Sequence, residues 1–297
     1  MSKETQLSII IVNYNSGKYL YNTIRSVYDS YPDTVFEIIV VDNKSSDSSL
    51  SAVIRNFPEV HIIELDNNEG FSKANNIGAK IAVGEYLLFL NNDTEIFKSS
   101  IDTLLNEIKE NPIYGIVSPV LLYEDGSTQL NYGNDPNIIS EFVTKYFLQI
   151  IFRLNTKLMA GNIEKNVDWI SGACFIITSE LYKKLNGFDE NFFLYYEDTD
   201  LGKRVRAEGF KNHVTSKSKI IHFLGKSTTT VYNEILPKIK KGHLYYYQKH
   251  NHSYSLNFLK LYLLMKFRIK RVFALITAQK DKSELFQKTI AVIKNFK

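Results

Sequence analysis

Residues 85–95 read Glu85-Tyr86-Leu87-Leu88-Phe89-Leu90-Asn91-Asn92-Asp93-Thr94-Glu95. Five consecutive apolar residues stop at two amides and a carboxylate. A run of that length suits a strand buried on both faces, as in a parallel sheet covered by helices. Ligands of such sheets bind beyond the carboxyl ends of the strands. Asp93, flanked by amides, therefore stands where a divalent cation and a phosphorylated ligand could meet. The same residues also make an ordinary turn, because Asn and Asp favour turns.

Upstream, the pattern repeats. Leu7 to Val12 reads as a first buried strand, followed by the turn Asn13-Tyr14-Asn15-Ser16-Gly17 and helical spacing from Lys18 to Ser30. Phe36 to Val41 is a second strand, ending at Asp42-Asn43, and Pro58 closes the helix after it. Val60 to Leu65 is a third, ending near Asn67-Asn68, and a helix from about Ser72 to Val83 leads into the opening stretch. Strand and helix thus alternate, which predicts an α/β fold with a parallel sheet. Its polar strand ends should share one edge. The first strand carries no Gly-x-Gly-x-x-Gly and no Walker loop follows it, which argues against a dehydrogenase or a P-loop enzyme.

Downstream, Ser100 to Glu110 reads as a helix stopped before Pro112, Ile113 to Leu122 as a strand, and residues 138–154 as an aromatic, apolar segment without a clear period. Val167 to Ile177 reads as one strand with Gly172 inside it, a residue that weakens a strand but admits a close ligand or backbone. Glu197, Asp198 and Asp200 then fall in the first turn of a helix, where acidic residues complement the helix dipole. Asp200 and Arg204 have the spacing of an i,i+4 ion pair. His222 ends the short apolar run Ile220-Ile221, and a lone histidine is commonly structural.

At 297 residues the chain can bury a large core and holds one large domain or two. A formal charge of +4 does not indicate a nucleic-acid partner. The single cysteine, Cys174, lies in an apolar run and reads as a small core residue. The first residues have no apolar segment of signal-peptide type, and no stretch reaches the length of a membrane span, so the expectation is a cytoplasmic protein.

In their order, these features resemble the family 2 glycosyltransferases, the inverting GT-A group, and within it bacterial rhamnosyltransferase-like enzymes of surface polysaccharide synthesis. The matching stretches are Ile-Ile-Ile-Val-Asn-Tyr-Asn (9–15), Ile-Val-Val-Asp-Asn (39–43), Asn-Glu-Gly-Phe-Ser-Lys-Ala-Asn-Asn-Ile-Gly (68–78) and Leu-Asn-Asn-Asp-Thr (90–94). Ser-Gly-Ala (171–173), Tyr-Glu-Asp-Thr-Asp-Leu-Gly-Lys-Arg (196–204) and His-Phe-Leu-Gly-Lys-Ser (222–227) complete them. The resemblance implies a GT-A catalytic domain over residues 1–230. Its nucleotide-binding half would be 1–95 and its acceptor and catalytic half 96–230, with a helical extension over 231–297.

It further implies that Val12 and Tyr14 pack on the nucleotide base and that Asp42 accepts its imide N–H, which cytosine lacks. Asn68, Gly70, Phe71, Lys73 and Asn75 would line the base and ribose pocket, with Gly172 near the ligand. Asn91-Asn92-Asp93 stands where the family has Asp-x-Asp; the first Asp is Asn here, which removes a charge. Asp93 and His222 would hold Mg2+ or Mn2+, and Asp198 would be the catalytic base with Glu197 beside it. The implied donor is a dTDP- or UDP-sugar, with dTDP-rhamnose first. The acceptor would be a hydroxyl of a glycan or lipid-linked glycan. A non-catalytic nucleotide-sugar-binding module should lack the base.

Beyond Tyr232 the composition changes. His243 to His250 is aromatic and basic, and Leu256 to Thr277 mixes Leu, Phe, Ile and Tyr with Lys260, Lys266, Arg268, Lys270 and Arg271. This composition suits an amphipathic helix on an anionic membrane surface. A helical pair packed on the catalytic domain, or a dimer contact, would use the same residues. Peripheral attachment to the inner face of the cell membrane is the corresponding localisation.

Overall fold

A computed structural model describes residues 5–30, 33–138, 164–223 and 232–297. The segment 139–154, which showed no period, and residues 224–227 of the last matching stretch lie outside the described residues. The first half runs β1 (Leu7–Asn13), α1 (Tyr19–Asp29), β2 (Phe36–Asp42), α2 (Ser49–Asn56), β3 (His61–Glu64), α3 (Phe71–Ile81) and β4 (Tyr86–Asn91). It continues through β5 (Thr94–Ile96), α4 (Ser100–Glu110), β6 (Tyr114–Leu122), β7 (Thr128–Gln129) and β8 (Tyr132–Gly133). Then follow β9 (Lys165–Val167), β10 (Trp169–Ile170), β11 (Cys174–Thr178), α5 (Ser179–Lys184), α6 (Glu197–Ala207) and β12 (Lys211–His222). Three helices close the chain: α7 (Tyr232–His250), α8 (Ser253–Ile276) and α9 (Lys280–Asn295).

The main sheet is ordered β3-β2-β1-β4-β11-β6-β12-β5, with β7 added to β6 and β9 to β12. β3, β2, β1 and β4 are mutually parallel, as the alternation of strand and helix predicts, and β11 is the antiparallel insertion between β4 and β6. Continuous apolar runs make strands here because both faces are covered. Leu7, Ile9 and Ile11 of β1, with Leu88 and Leu90 of β4, belong to a core shared with α1, α2 and α4. Ile10, Leu87 and Phe89 point to the opposite core, shared with α3, α5 and α6. Cys174 is buried in the first of these, and burial pushes its thiol well up from the ordinary value, so it is a core residue.

One expectation is corrected. Val167 to Ile177 is not one strand: β9 pairs with β12, β10 with β8, and β11 lies between β4 and β6. Asp168 and the turn Ser171–Ala173 separate the pieces, since each finds a different partner. The strand that ends at His222 begins at Lys211 and includes a polar half. Pairing with β6, β9 and β5, rather than apolarity, makes it a strand.

By contacts the chain divides into two compact units. One contains residues 5–135, 164–190 and 197–223 of those described and holds the sheet. The other contains Asn191–Tyr196 and residues 136–138 and 232–297. Its own core is formed by Leu236, Leu244, Tyr246 and Tyr247 of α7, Leu259, Leu263 and Phe267 of α8, and Ile293 of α9.

Gly78 lets α3 lie close to the sheet: a Cβ there would meet Ile10 Cγ2 at 2.8 Å and Val41 Cγ2 at 3.1 Å. Gly78→Val should therefore destabilise the first unit by about 1–3 kcal/mol through overpacking. Chemical unfolding of the two proteins measures it, and an unchanged midpoint would contradict this close packing.

Candidate active site

The strand ends of β1, β2 and β4 are tied together by Asn13, which is fully buried. Its Nδ2 donates to Asp42 Oδ1 at 2.7 Å and to Ser49 Oγ at 2.9 Å. Its Oδ1 accepts from Ser16 Oγ at 2.5 Å and Asn92 Nδ2 at 3.3 Å. The Asp42 carboxylate also accepts from Ser45 Oγ and, through Oδ2, from the Ser45 N–H at 2.8 Å. Asn43 carries the edge onward, its Nδ2 donating to the Gly70 carbonyl and its Oδ1 accepting from the Glu69 N–H. Gly70 precedes α3 with φ of 87°, a conformation that favours glycine. Sequence reasoning placed Asn13 in the turn but missed it as the hub.

The residues expected around a nucleotide divide into two groups. Val12 and Tyr14 are half-buried at the end of β1. Asn68 accepts from the Gly70 N–H, Lys73 pairs with Glu69 at 2.8 Å, and buried Asn75 donates back to the Phe71 carbonyl. These three make local contacts in or beside α3. Phe71, by contrast, reaches across: its ring lies 3.2 Å from the position a Cβ on Gly172 would take. The Gly172 N–H donates to Asp198 Oδ2 at 3.1 Å. Phe71, Gly172 and Asp198, distant in sequence, thus meet at the turn before β11.

That turn is joined to the end of β4, since the Asn91 N–H donates to the Ala173 carbonyl at 2.8 Å. Two residues on, buried Asp93 lies with Oδ1 3.3 Å from His222 Nε2, and Asn91 Nδ2 lies 3.3 Å from the same nitrogen. The strand pairing of His222 with Thr94 sets this distance. Gln129 of β7, which no sequence signal singled out, orients the ring. Its Nε2 faces the His222 carbonyl at 3.5 Å and its Oε1 faces Nδ1 at 2.7 Å. In that arrangement Nδ1 is the donor to Gln129 Oε1, and Nε2 is the nitrogen on the side of Asp93, with a lone pair there whenever the ring is neutral. A carboxylate oxygen and an imidazole lone pair side by side fit a divalent cation, with Gln129 as the outer partner that such histidines use. Another His–carboxylate group among the described residues, Glu107, Glu164 and His213, belongs to the opposite end of β12. It is already internally paired, His213 Nε2 with Glu164 at 3.0 Å and Lys217 with Glu107.

α6 opens with two carboxylates in different settings. Asp198 is half-buried, and burial raises its pKa from the usual value against the opposing hydrogen bonds from Gly172 and Thr199. Glu197 is 3% exposed, with Oε2 unpartnered. Burial first, then the charges of Asp198 and Asp200, hold it well above the usual carboxylate range. Asp200 pairs with Arg204 at 2.7 Å, as their spacing predicts. The chain enters α6 through Tyr195 and Tyr196 with φ of 67° and 77°, a backbone that non-glycine residues rarely adopt.

A mainly parallel sheet with its amides, carboxylates and histidine gathered on the strand-end edge is the arrangement of a GT-A transferase. Residues 8–185 match the model of glycosyl transferase family 2, and the chain belongs to that family. Residues 154–228 also match the N-terminal domain of galactosyltransferase. The chain is 25% identical to an N-acetylglucosaminyl-diphospho-decaprenol L-rhamnosyltransferase of Mycobacterium tuberculosis, over 75% of this chain and 77% of that one. It is 28% identical to the rhamnosyltransferase WbbL of Escherichia coli, over 72% of this chain and 82% of that one. The crystal structure of GalNAc-T7 with UDP, GalNAc and Mn2+ superposes with a TM-score of 0.58 at 18% identity. It covers 83% of this chain and half of that one, and so shares the fold. The protein is an enzyme, a hexosyltransferase related to rhamnosyltransferases.

The buried Glu197 carboxyl has a consequence for stability. Its folded-state pKa is raised, so the folded chain holds the proton more tightly than the unfolded one. Its contribution is complete below the ordinary value of 4.5 and is lost as pH rises toward the folded value. Glu197→Gln should make the fall in melting temperature above that pH shallower. Identical pH profiles for the two proteins would show that Glu197 does not titrate this way.

Proposed function

We propose that the chain is an inverting, metal-dependent transferase that moves a sugar, dTDP-rhamnose being the first donor to try, onto a hydroxyl of a growing cell-surface glycan. The observation that carries this is Asp198, held by the Gly172 N–H at a turn whose next residue is bonded to Asn91, two residues from Asp93 and its partner His222. The two rhamnosyltransferase relatives support the sugar, and the diphospho-decaprenol in the name of one supports a lipid-linked glycan acceptor. An enzyme using such an acceptor would work at the inner face of the cell membrane. A UDP-hexose or UDP-hexosamine donor is the second reading, favoured by the UDP and GalNAc in the structure of the same fold.

In this reading Asp198 takes the proton of the acceptor hydroxyl as its oxygen bonds to the anomeric carbon and the nucleoside diphosphate departs from the opposite face. One displacement inverts the centre without a covalent intermediate. Such assistance is worth ~10²–10⁴-fold. For a base placed at the acceptor hydroxyl, position matters more than basicity. Asp42 has a lone pair on Oδ2 for the imide N–H of thymine or uracil, with Val12 and Tyr14 beside the base and Phe71 near the ribose. Asp93 and His222 would hold Mg2+ or Mn2+, with Asn91 and Asn92 beside them. The ion, when bound, supplies Lewis-acid stabilisation of the leaving diphosphate.

Asp198→Asn should lower transfer by ~10²–10⁴-fold and leave nucleotide binding nearly intact. Retained turnover would remove Asp198 as the base. Binding is read independently by melting the protein with dTDP, UDP or GDP, each with and without Mn2+. A nucleotide at ~100 times its dissociation constant adds ~2.7 kcal/mol. The expected stabilisation is by dTDP or UDP, larger with metal, and the metal increment should vanish in Asp93→Ala. The same increment in that variant would take Asp93 out of the metal site.

A further inference from the structure

We infer that the outward face of α8 docks on an anionic lipid surface. An α-helix that is apolar all round is ordinarily buried. In α8 one face is: Leu259, Leu263, Phe267 and Ala274 are buried, the first three in the core shared with α7 and α9. The opposite face is apolar as well. Phe258, Leu261, Met265, Ile269, Val272 and Ile276 are exposed, from 46% for Phe258 to 76% for Ile276. At 3.6 residues per turn these six fall within one arc of about 80°, running about 27 Å along the helix. A continuous exposed strip of large apolar side chains marks an interaction surface rather than scattered surface residues.

Charge decides what covers it. α8 carries Lys260, Lys266, Arg268, Lys270 and Arg271 and no acidic residue. Residues 253–297 hold ten Lys or Arg against two acidic residues, a net +8. The whole chain is only +4, so the 252 residues before them are −4. Lys260 and Arg271 bond to neutral oxygens, the Phe296 carbonyl and the Gln287 amide, so these contacts leave their charge uncompensated. An apolar strip bordered by cations suits a surface with acyl chains beneath anionic headgroups. Each cation near such a surface adds electrostatic attraction, and the apolar side chains add their burial. A second copy of the same face would instead bring two strongly cationic surfaces together. Among the described residues no helix is long and apolar enough to cross a membrane, so α8 would lie in the interface.

This inference deepens the inner-membrane location proposed above and rests on that part of the reading, but vesicle binding and sugar transfer are measured separately and can fail separately. The full chain is sedimented with vesicles of phosphatidylglycerol mixed with phosphatidylcholine, and with phosphatidylcholine alone. Binding should need the anionic lipid and weaken with salt. Leu261→Gln/Ile269→Gln/Val272→Gln, at exposed positions, should melt like the wild type and lose at least about tenfold in binding, equivalent to ~1.4 kcal/mol. Lys266→Glu/Arg268→Glu should lose the preference for phosphatidylglycerol. Equal binding of wild type and triple variant, or no lipid preference in the wild type, would overturn the proposal. So would a dimer in solution that the triple variant splits without any vesicle binding, which would make the strip a contact between two copies.

Discussion

The strand-end edge of this enzyme depends on a buried amide. Asn13 sits at the end of an apolar strand, where a polar side chain with no exposure must find all its partners inside the protein. It finds them on β2, on the start of α2 and after β4, so the ends of three parallel strands share one network with Asp42 and Asn92. Leaving such a group unsatisfied costs about 1–3 kcal/mol. The network therefore fixes where the loops leave the sheet, and those loops carry the candidate site residues.

From this edge, the backbone transmits position to the site. The Asn91 N–H bonds the Ala173 carbonyl, and the neighbouring Gly172 offers both its N–H to Asp198 and its missing side chain to Phe71. A side chain at residue 172 would meet the Phe71 ring at 3.2 Å. One glycine thus serves two contacts of the candidate site, and the antiparallel insertion of β11 beside β4 puts it there.

The two carboxyls at the start of α6 show how adjacent residues acquire different properties. Asp198 keeps three N–H or O–H donors and partial exposure, while Glu197 is enclosed with one oxygen unpartnered. Environments that push neighbouring acids apart separate the group that can remain charged from the one that resists charge. His222 follows the same logic: Gln129 fixes its ring, so that Nε2 rather than Nδ1 faces Asp93.

What the sequence by itself determined was local or periodic. The apolar runs of β1, β2 and β4 specify doubly covered strands whatever their partners, and the polar residues after them mark one edge once the strands are parallel. The Asp200–Arg204 pair was legible because both residues belong to one helix, whose geometry sets their separation. Tertiary structure decided the rest. The polar half of β12 is a strand only through its neighbours, and Lys165 to Thr178 breaks into three strands because each piece pairs elsewhere. Gln129 acquires its role from a histidine 93 positions away, and Asp198 meets Gly172 across 26. The two faces of α8 are almost equally apolar, so only the packing of α7 and α9 distinguishes the buried one from the exposed one. Spacing records contacts within an element, whereas contacts between elements arise from the closure of the sheet and core.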